Sequence, residues 1–390
     1  MSNPTLSMPR PSFAAICLAG LIALAIAMGI GRFAFTPMLP LMIRAGSADV
    51  AAGGWLAAAN YAGYLLGALT TARLPLAPQR VALLALALIV ASTAAMGWTA
   101  SLTAWLILRF VAGVASAWAL VSTSVWCLGW LSRFERPAGP GLLYAGVGAG
   151  IALAGLYCWR AGAANVRPEV LWLQLGALAL VGMVVVVLLM PRGMPSAVAP
   201  APAAGGPATP GGVAWGLVIC YGLLGFGYIL PATFLPVLAR AVVDDPAVFG
   251  AAWPVFGAAA AASTIFASLA LPKMARRHVL AGSHALMALG CLLPVLHLSA
   301  FTVLLAALLV GGTFMVATMA GMQEARARSV GDPTRSLSRM TAAFAIGQMA
   351  GPVLSSLLSG SAHGFGGLFI ALAIGALALA GSAWWLARAA

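Results

Sequence analysis

Long apolar segments recur through this chain at roughly 30-residue intervals, and that recurrence limits the fold more than any other feature. A bilayer core of about 30 Å is crossed by about 20 apolar residues of α-helix. Twelve such segments are readable, near 13–43, 50–72, 80–100, 102–130, 139–160 and 169–190, then 213–240, 247–271, 278–299, 301–323, 337–360 and 365–387. Composition agrees: 63% of residues are hydrophobic and 7% charged, against about 25% charged in soluble domains. The predicted class is an all-α integral membrane protein of twelve transmembrane helices, and a soluble enzyme is excluded.

The net charge of +13 points to nucleic acid only when the basic residues cluster on one solvated face. Here they stand singly between apolar runs, so no nucleic-acid partner is expected and the charges read as topology signals toward the lipid bilayer. With both termini cytoplasmic, the inner segments hold fourteen basic residues, among them Arg10, Arg73, Arg80, Arg133, Arg136, Arg192, Lys273, Arg276 and Arg277. The outer segments hold four, Arg44, Arg160, Arg167 and Arg240. That bias sets the orientation. Arg10 ahead of an apolar stretch, with Ala25-Ile26-Ala27 beyond it, also has the shape of a signal peptide. The apolar pattern continues to Ile43, however, and the segment is repeated later in the chain.

Residues 191–212 hold six prolines and five glycines, which preclude a stable helix. They read as a cytoplasmic linker between two six-helix halves, 1–190 and 213–390. The halves are related. An offset of 196 positions brings Gly29, Gly31, Leu39, Pro40, Arg44 and Ala45 onto Gly225, Gly227, Leu235, Pro236, Arg240 and Ala241. Trp55 and Trp253 open the second helix of each half at nearly the same offset. An even number of helices per half gives parallel, pseudo-symmetric bundles about an axis along the membrane normal.

Two of the twenty basic residues, Arg32 and Arg109, fall inside apolar helices, where a charge costs at least about 2.5–3.5 kcal/mol. None of the seven acidic residues lies well inside any segment. A polar cavity, a carbonyl or an anionic ligand must therefore satisfy them. Arg32 also has an interfacial reading. It stands 19 residues beyond Phe13, about 29 Å of helix, so its side chain could snorkel to the outer headgroups. For Arg109 the alternative is hydrogen bonding to backbone carbonyls, where Gly113, Ser116 and Ala117 let helices approach closely.

Asn60, Tyr61 and Tyr64 on the second helix, Tyr228 on the seventh and Gln348 on the eleventh are neutral polar residues among apolar ones. They are candidates to line a substrate cavity, or to make interhelical hydrogen bonds. Tyr228 occupies the position that repeats Arg32. Arg73, Glu135, Arg136 and Arg326 are candidates for a cytoplasmic gate between the halves. Glu324, at the end of the tenth helix, is the candidate coupling carboxylate, with His284 as the alternative. Five cysteines sit in apolar runs without metal-ligand spacing and read as packing residues. The four histidines show no metal spacing, and no hydrolase or nucleotide-binding motif is present. No metal or cofactor is expected, and no catalytic residues.

Gly29-Ile-Gly31-Arg32-Phe-Ala-Phe-Thr-Pro37-Met-Leu-Pro40, the segment Arg109 to Ala117, Gly321-Met-Gln-Glu324-Ala-Arg326 and Ala345 to Pro352 resemble the major facilitator superfamily, and within it the YbfB/YjiJ-like branch. The resemblance spans essentially the whole chain. It implies a secondary transporter of the bacterial inner membrane, working as a monomer by alternating access, with a central cavity lined by helices 1, 4, 7 and 10. Two departures matter. Gly67-Ala-Leu-Thr-Thr-Ala-Arg73 lacks the acidic residue of the superfamily's loop motif, which weakens the gate reading. The fifth helix lacks the Gly-Pro pair typical of drug–proton antiporters.

The function these features support is transport of a small organic solute, an anion by the logic of Arg32 and Arg109. The alternatives are an exporter of hydrophobic or cationic compounds and a membrane binding or sensory protein without turnover. Uniport, exchange and coupling to protons all remain open.

Overall fold

The computed structural model describes residues 12–134, 136–191, 215–240, 242, 246–329, 332–359 and 366–388. Residues 192–212 of the expected linker, Arg10 and Glu135 lie outside them. Twelve long helices account for the described chain. The first, α1 (Phe13–Arg44), is π-helical over Ala25–Phe33, between α-helical Phe13–Leu24 and Phe35–Arg44. There follow α2 (Val50–Thr70), α3 (Pro78–Met96), α4 (Leu102–Leu131), α5 (Ala138–Ala163) and α6 (Pro168–Leu189). The remainder are α7 (Trp215–Arg240), α8 (Pro246–Ala270), α9 (Arg276–Leu296), α10 (Ala300–Ala327), α11 (Thr334–Ser359) and α12 (Gly366–Arg388).

Local chemistry sets the helix ends. Asp49 caps α2 by accepting from the Ala52 N–H at 2.7 Å, and Ser299 and Thr302 form a reciprocal capping box on α10. Pro78 and Pro168 occupy first helical positions, where a missing N–H costs nothing. Beyond α5, Asn165 takes a left-handed φ of 53°, and the Val166 N–H returns to the Ala161 carbonyl at 3.0 Å, a Schellman ending.

Ten of the described helices are long and apolar enough to cross a membrane. The sequence reading counted twelve, and the two outside the set are α2 and α11. In α2 the lower hydropathy comes from polar residues in mid-helix, Asn60 and Tyr64, that turn inward. Asn60, Tyr64 and Gln348 are all buried, and α2 and α11 pack on one another.

The helix pairings repeat. Among the first six, α1 packs on α5 and α6, α2 on α4, α3 on α4 and on α6. Among the second six, α7 packs on α11 and α12, α8 on α10, α9 on α10 and on α12. The two most extensive contacts between the sets are α5 with α8 and α2 with α11. A shift of six helices carries each of these joints onto the other.

Glycine permits the closest of these crossings. A Cβ at Gly29 of α1 would overlap the backbone of Gly150 on α5. Along α5, Gly141, Gly148 and Gly155 recur every seven residues, a single face. They meet Ser268, then Gly257 and Ala261, then Trp253 and Pro254 on α8. The 14-residue interval from Gly141 to Gly155 is about 21 Å of helix, so α5 and α8 are in contact over most of a bilayer's thickness. At one end of this seam the Ser268 hydroxyl donates to the Pro137 carbonyl and accepts from the Gly141 N–H at 3.2 Å. From the neighbouring helix it thereby bridges an N–H and a carbonyl of the first turn of α5. The five cysteines are buried free thiols, as their setting in apolar runs implied.

Candidate functional site

Arg32 sits near the end of the π-helical stretch of α1 and is 3% exposed. It does not reach headgroups; its side chain is enclosed by protein. Its Nη2 donates to Gln348 Oε1 on α11, a bond between the two sets of six helices. The guanidinium carbon lies 3.9 Å from the centroid of the Tyr64 ring and 5.3 Å from that of Tyr61, both on α2. Cation–π contacts of this kind contribute about 2 kcal/mol when desolvated. Among the described residues Nε and Nη1 have no hydrogen-bond partner, and Arg32 forms no ion pair.

Arg109 on α4 is equally buried but differently used. Its Nη1 donates to the Gly31 carbonyl at 3.2 Å and its Nη2 to the Arg32 carbonyl at 3.3 Å. Its guanidinium also lies 4.7 Å from the Phe35 ring centroid. The sequence explains why α1 needs these donors. Pro37 has no N–H to offer the carbonyls four and five residues back, those of Phe33 and Arg32. Arg109 supplies a donor from a neighbouring helix, and so realises the backbone-bonding alternative. Asn60 then fastens α2 to the same level, its Nδ2 donating to the Arg109 carbonyl at 2.9 Å.

Tyr228 on α7, the repeat position of Arg32, is buried with its hydroxyl unpartnered among the described residues. It is an electrostatic neighbour of Arg32. The Gln348 Nε2, Asn60 Oδ1 and Trp253 Nε1 atoms are likewise buried and without a partner. Tyr228 stacks on Phe314 of α10, with centroids 4.8 Å apart and an angle of 19°. Phe314 continues to Phe256 of α8 at 5.3 Å, and Phe256 to Trp253 at 5.4 Å and 7°. Trp253 meets Phe33 of α1 at 6.3 Å, and on the other side Phe344 of α11 joins Tyr228 at 6.1 Å. One run of rings thus crosses from α11 to α1, next to Arg32.

Five of these residues, Phe33, Tyr64, Tyr228, Phe314 and Phe344, wall a small cavity together with Tyr221, Met28, Met315 and Met322. Its walls close to leave room for about one water-sized sphere. The expected lining helices 1, 4, 7 and 10 all contribute, joined by α2, α5 and α11. Residues 24–385 match the family model described as "Uncharacterised MFS-type transporter YbfB".

The chain belongs to this family. It is accordingly a multi-pass membrane protein of the major facilitator type, and its family and fold are those of transporters, not enzymes. Among solved structures it is similar to the crystal structure of the human organic anion transporter MFSD10 (TETRAN), with a TM-score of 0.70 and 13% identity. That match covers 97% of this chain and 100% of the other; at such identity it speaks for the fold alone. Among curated proteins, none matches the sequence.

In this major facilitator chain the remaining candidates lie apart from the arginine pair. Glu324, in the last turn of α10, is held by Arg328 at 2.7 Å and faces Arg276 at 4.0 Å. Arg326 crosses from α10 to α4, where its Nη1 donates to the Val125 carbonyl at 3.2 Å. Arg73 ends the short 3-10 turn Thr71–Arg73, which packs against α11. Arg136 lies over the Phe13 ring at 5.0 Å, within the first six helices. Arg326 and the segment of Arg73 therefore sit at contacts between the two sets. His284 is buried between α9 and α12, bonded to Ser382 at 2.9 Å.

Two members of the aromatic run are legible in the sequence, Tyr228 as a cavity candidate and Trp253 as a repeat marker; the run itself is not. Phe256, Phe314 and Phe344 carry no local signal, because each is an ordinary apolar residue in an apolar helix. The pairing of Pro37 with a buried arginine was a usable signal for the role of Arg109.

Proposed function

We propose that this protein is a secondary transporter that moves a small organic anion by alternating access, and that Arg32 is its anion contact. One observation carries the reading: Arg32 is a buried guanidinium with no carboxylate partner among the described residues and two N–H-bearing nitrogens, Nε and Nη1, unspent. A buried charge left in that condition costs several kcal/mol, and charge-assisted hydrogen bonds to an anion relieve it. Arg109 acts through Arg32, fixing the carbonyl of the residue that carries the charge. Tyr228, Gln348 and Asn60 supply neutral hydrogen bonds, and Tyr61 and Tyr64 the aromatic bed.

In this reading the twelve helices all span the bilayer as two six-helix bundles, 1–190 and 213–390, joined by the linker of 191–212. The recurring pairings and the two joints α5–α8 and α2–α11 support it. Both termini face the cytoplasm and the membrane is the bacterial inner membrane. The carrier works as a monomer, with the lipid bilayer and its solute as its partners. Rocking about the joints exposes the cavity alternately to each side. Arg326, bonded to the Val125 carbonyl, and the Arg73 segment against α11 are cytoplasmic contacts that must part, with Glu135 and Arg136 in the same loop region.

Energy coupling through an intramembrane carboxylate has one candidate, Glu324, since the other acidic residues flank helices or begin them. The test is accumulation in proteoliposomes. Wild-type protein is expected to take up small organic anions, and Arg32→Ala to lose that uptake. Uptake of hydrophobic cations in preference to anions would favour the exporter reading. Saturable binding without accumulation would favour a sensor.

A further inference from the structure

We propose that Gln348 takes the anion's place on Arg32 when the carrier is empty, so that the empty carrier can close and transport is net movement instead of obligatory exchange. This rests on Arg32 being the anion contact. The starting point is which polar bonds cross between the two sets of helices. Arg109 bonds the carbonyls of Gly31 and Arg32, and Asn60 bonds that of Arg109, all within the first six helices. The bond from Arg32 Nη2 to Gln348 Oε1 instead joins the first six helices to the second. Gln348 is seated firmly with the second set: at its neighbour Gly347, α11 meets α7 so closely that a Cβ would overlap the Gly222 carbonyl and the Phe226 nitrogen. When the halves rock apart, Gln348 therefore leaves with α7 while Arg32 stays on α1, and their bond breaks.

The chemistry of the pair explains why the bond exists at all. A guanidinium only donates, so an amide facing it presents its oxygen. A guanidinium grips a carboxylate or phosphate along an edge of two nitrogens, Nε with Nη2 or Nη1 with Nη2. Nη2 is common to both edges, so the Gln348 oxygen lies where one oxygen of a bound anion would lie. The nitrogens of the pair that lack a partner, Nε and Nη1 of Arg32 and Nε2 of Gln348, are all donors. An anion that displaces Oε1 offers acceptors to the guanidinium, and the freed amide turns to donate to it from Nε2.

The consequence concerns the return step. A buried cation whose partner is removed is strongly destabilising. Without the Gln348 oxygen, closing the empty carrier would bury the Arg32 guanidinium with no acceptor, and only the loaded carrier would close. Such a protein exchanges one anion for another. With the oxygen in place, the empty carrier closes as well, and net transport follows.

The experiment uses the purified full-length protein in liposomes, with radiolabelled acetate, lactate, succinate and benzoate as probes and with valinomycin and potassium on both sides to remove any opposing voltage. The probe that wild type moves fastest is followed in two modes: net uptake into empty vesicles, and exchange into vesicles preloaded with the same unlabelled anion. Wild type is expected to do both. In Gln348→Leu the ratio of net uptake to exchange is expected to fall at least about tenfold, the size of a lost hydrogen bond to a charged group. Gln348→Glu places a permanent carboxylate on Arg32; both modes are expected to be lost and the melting midpoint of the anion-free protein to rise. This variant carries the test should Gln348→Leu not fold. Equal loss of both modes in Gln348→Leu, wild-type rates in Gln348→Glu, or a wild type that exchanges without net uptake overturns the role of Gln348 and leaves the anion contact standing. Exchange by Arg32→Gln at the wild-type rate, or movement of none of the probes by wild type, overturns both.

Discussion

Helices α1 and α7 repeat one another in sequence, yet at the equivalent position one carries Arg32 and the other Tyr228. Around Arg32 the backbone is π-helical, its carbonyls are served by Arg109, and its guanidinium rests on Tyr64. Around Tyr228 the helix is continuous and the ring is stacked between Phe314 and Phe344. The repeat supplies two matching frames, and each frame has been given a different chemistry: one holds a charge, the other a flat apolar wall. A charge requires donors and acceptors fixed around it, whereas a stack requires only shape. That difference accounts for the irregular backbone appearing on one side alone.

Exchanging the two chemistries is the harshest way to break the comparison. The double variant Arg32→Tyr, Tyr228→Arg keeps the composition but sets the guanidinium between Phe314 and Phe344, away from Tyr64 and Gln348. Anion uptake is expected to fall at least about 100-fold, as follows when charge-assisted bonds are lost; uptake near the wild-type rate would show that the two frames are interchangeable.

Removing the support of one frame is the next largest change. Arg109→Leu strips the carbonyls of Gly31 and Arg32 of their donors, at about 1–3 kcal/mol for each buried acceptor. The unfolding midpoint should drop by an amount corresponding to about 2–5 kcal/mol, with Arg109→Lys recovering part of it. An unchanged midpoint would mean that α1 keeps its π-helical stretch without help.

Tyr228→Phe keeps the stack and removes only the hydroxyl. A loss of about three- to tenfold in anion affinity is expected, the size of one neutral hydrogen bond, and it is read by titration of binding. The smallest effect belongs to Glu324→Gln. Its partners Arg328 and Arg276 are half-exposed, and pairs screened in this way contribute about 1 kcal/mol or less, so stability should move little. Loss of proton-driven accumulation with binding intact would instead give Glu324 the coupling role.

Much of this arrangement was legible in the sequence, because lipid imposes a simple rule. Apolar length located the helices, the Pro and Arg matches at a 196-residue offset exposed the repeat, and the two arginines stood out against an apolar background. Asn60, Tyr64, Tyr228 and Gln348 were legible for the same reason, and all four are buried near one another or near the arginines. What the sequence concealed depends on contact between distant segments. The rings of Phe33, Trp253, Phe256, Phe314, Tyr228 and Phe344 come from five helices, and no local pattern says that they touch. The division of labour between Arg32 and Arg109 was also hidden, since both are single cations in apolar helices and only the direction of their nitrogens separates them. Arg32 itself could be read as interfacial from helix length alone. Its enclosure depends on Tyr64 of α2 and Gln348 of α11 turning inward onto it, which helix length does not show.

The most direct test of the whole is anion uptake into proteoliposomes by wild type, Arg32→Lys and Arg32→Gln, each checked for correct folding by size-exclusion profile. If Arg32 meets the substrate's charge, Arg32→Lys should retain measurable uptake while Arg32→Gln retains none. Uptake by Arg32→Gln at the wild-type rate would contradict the assignment.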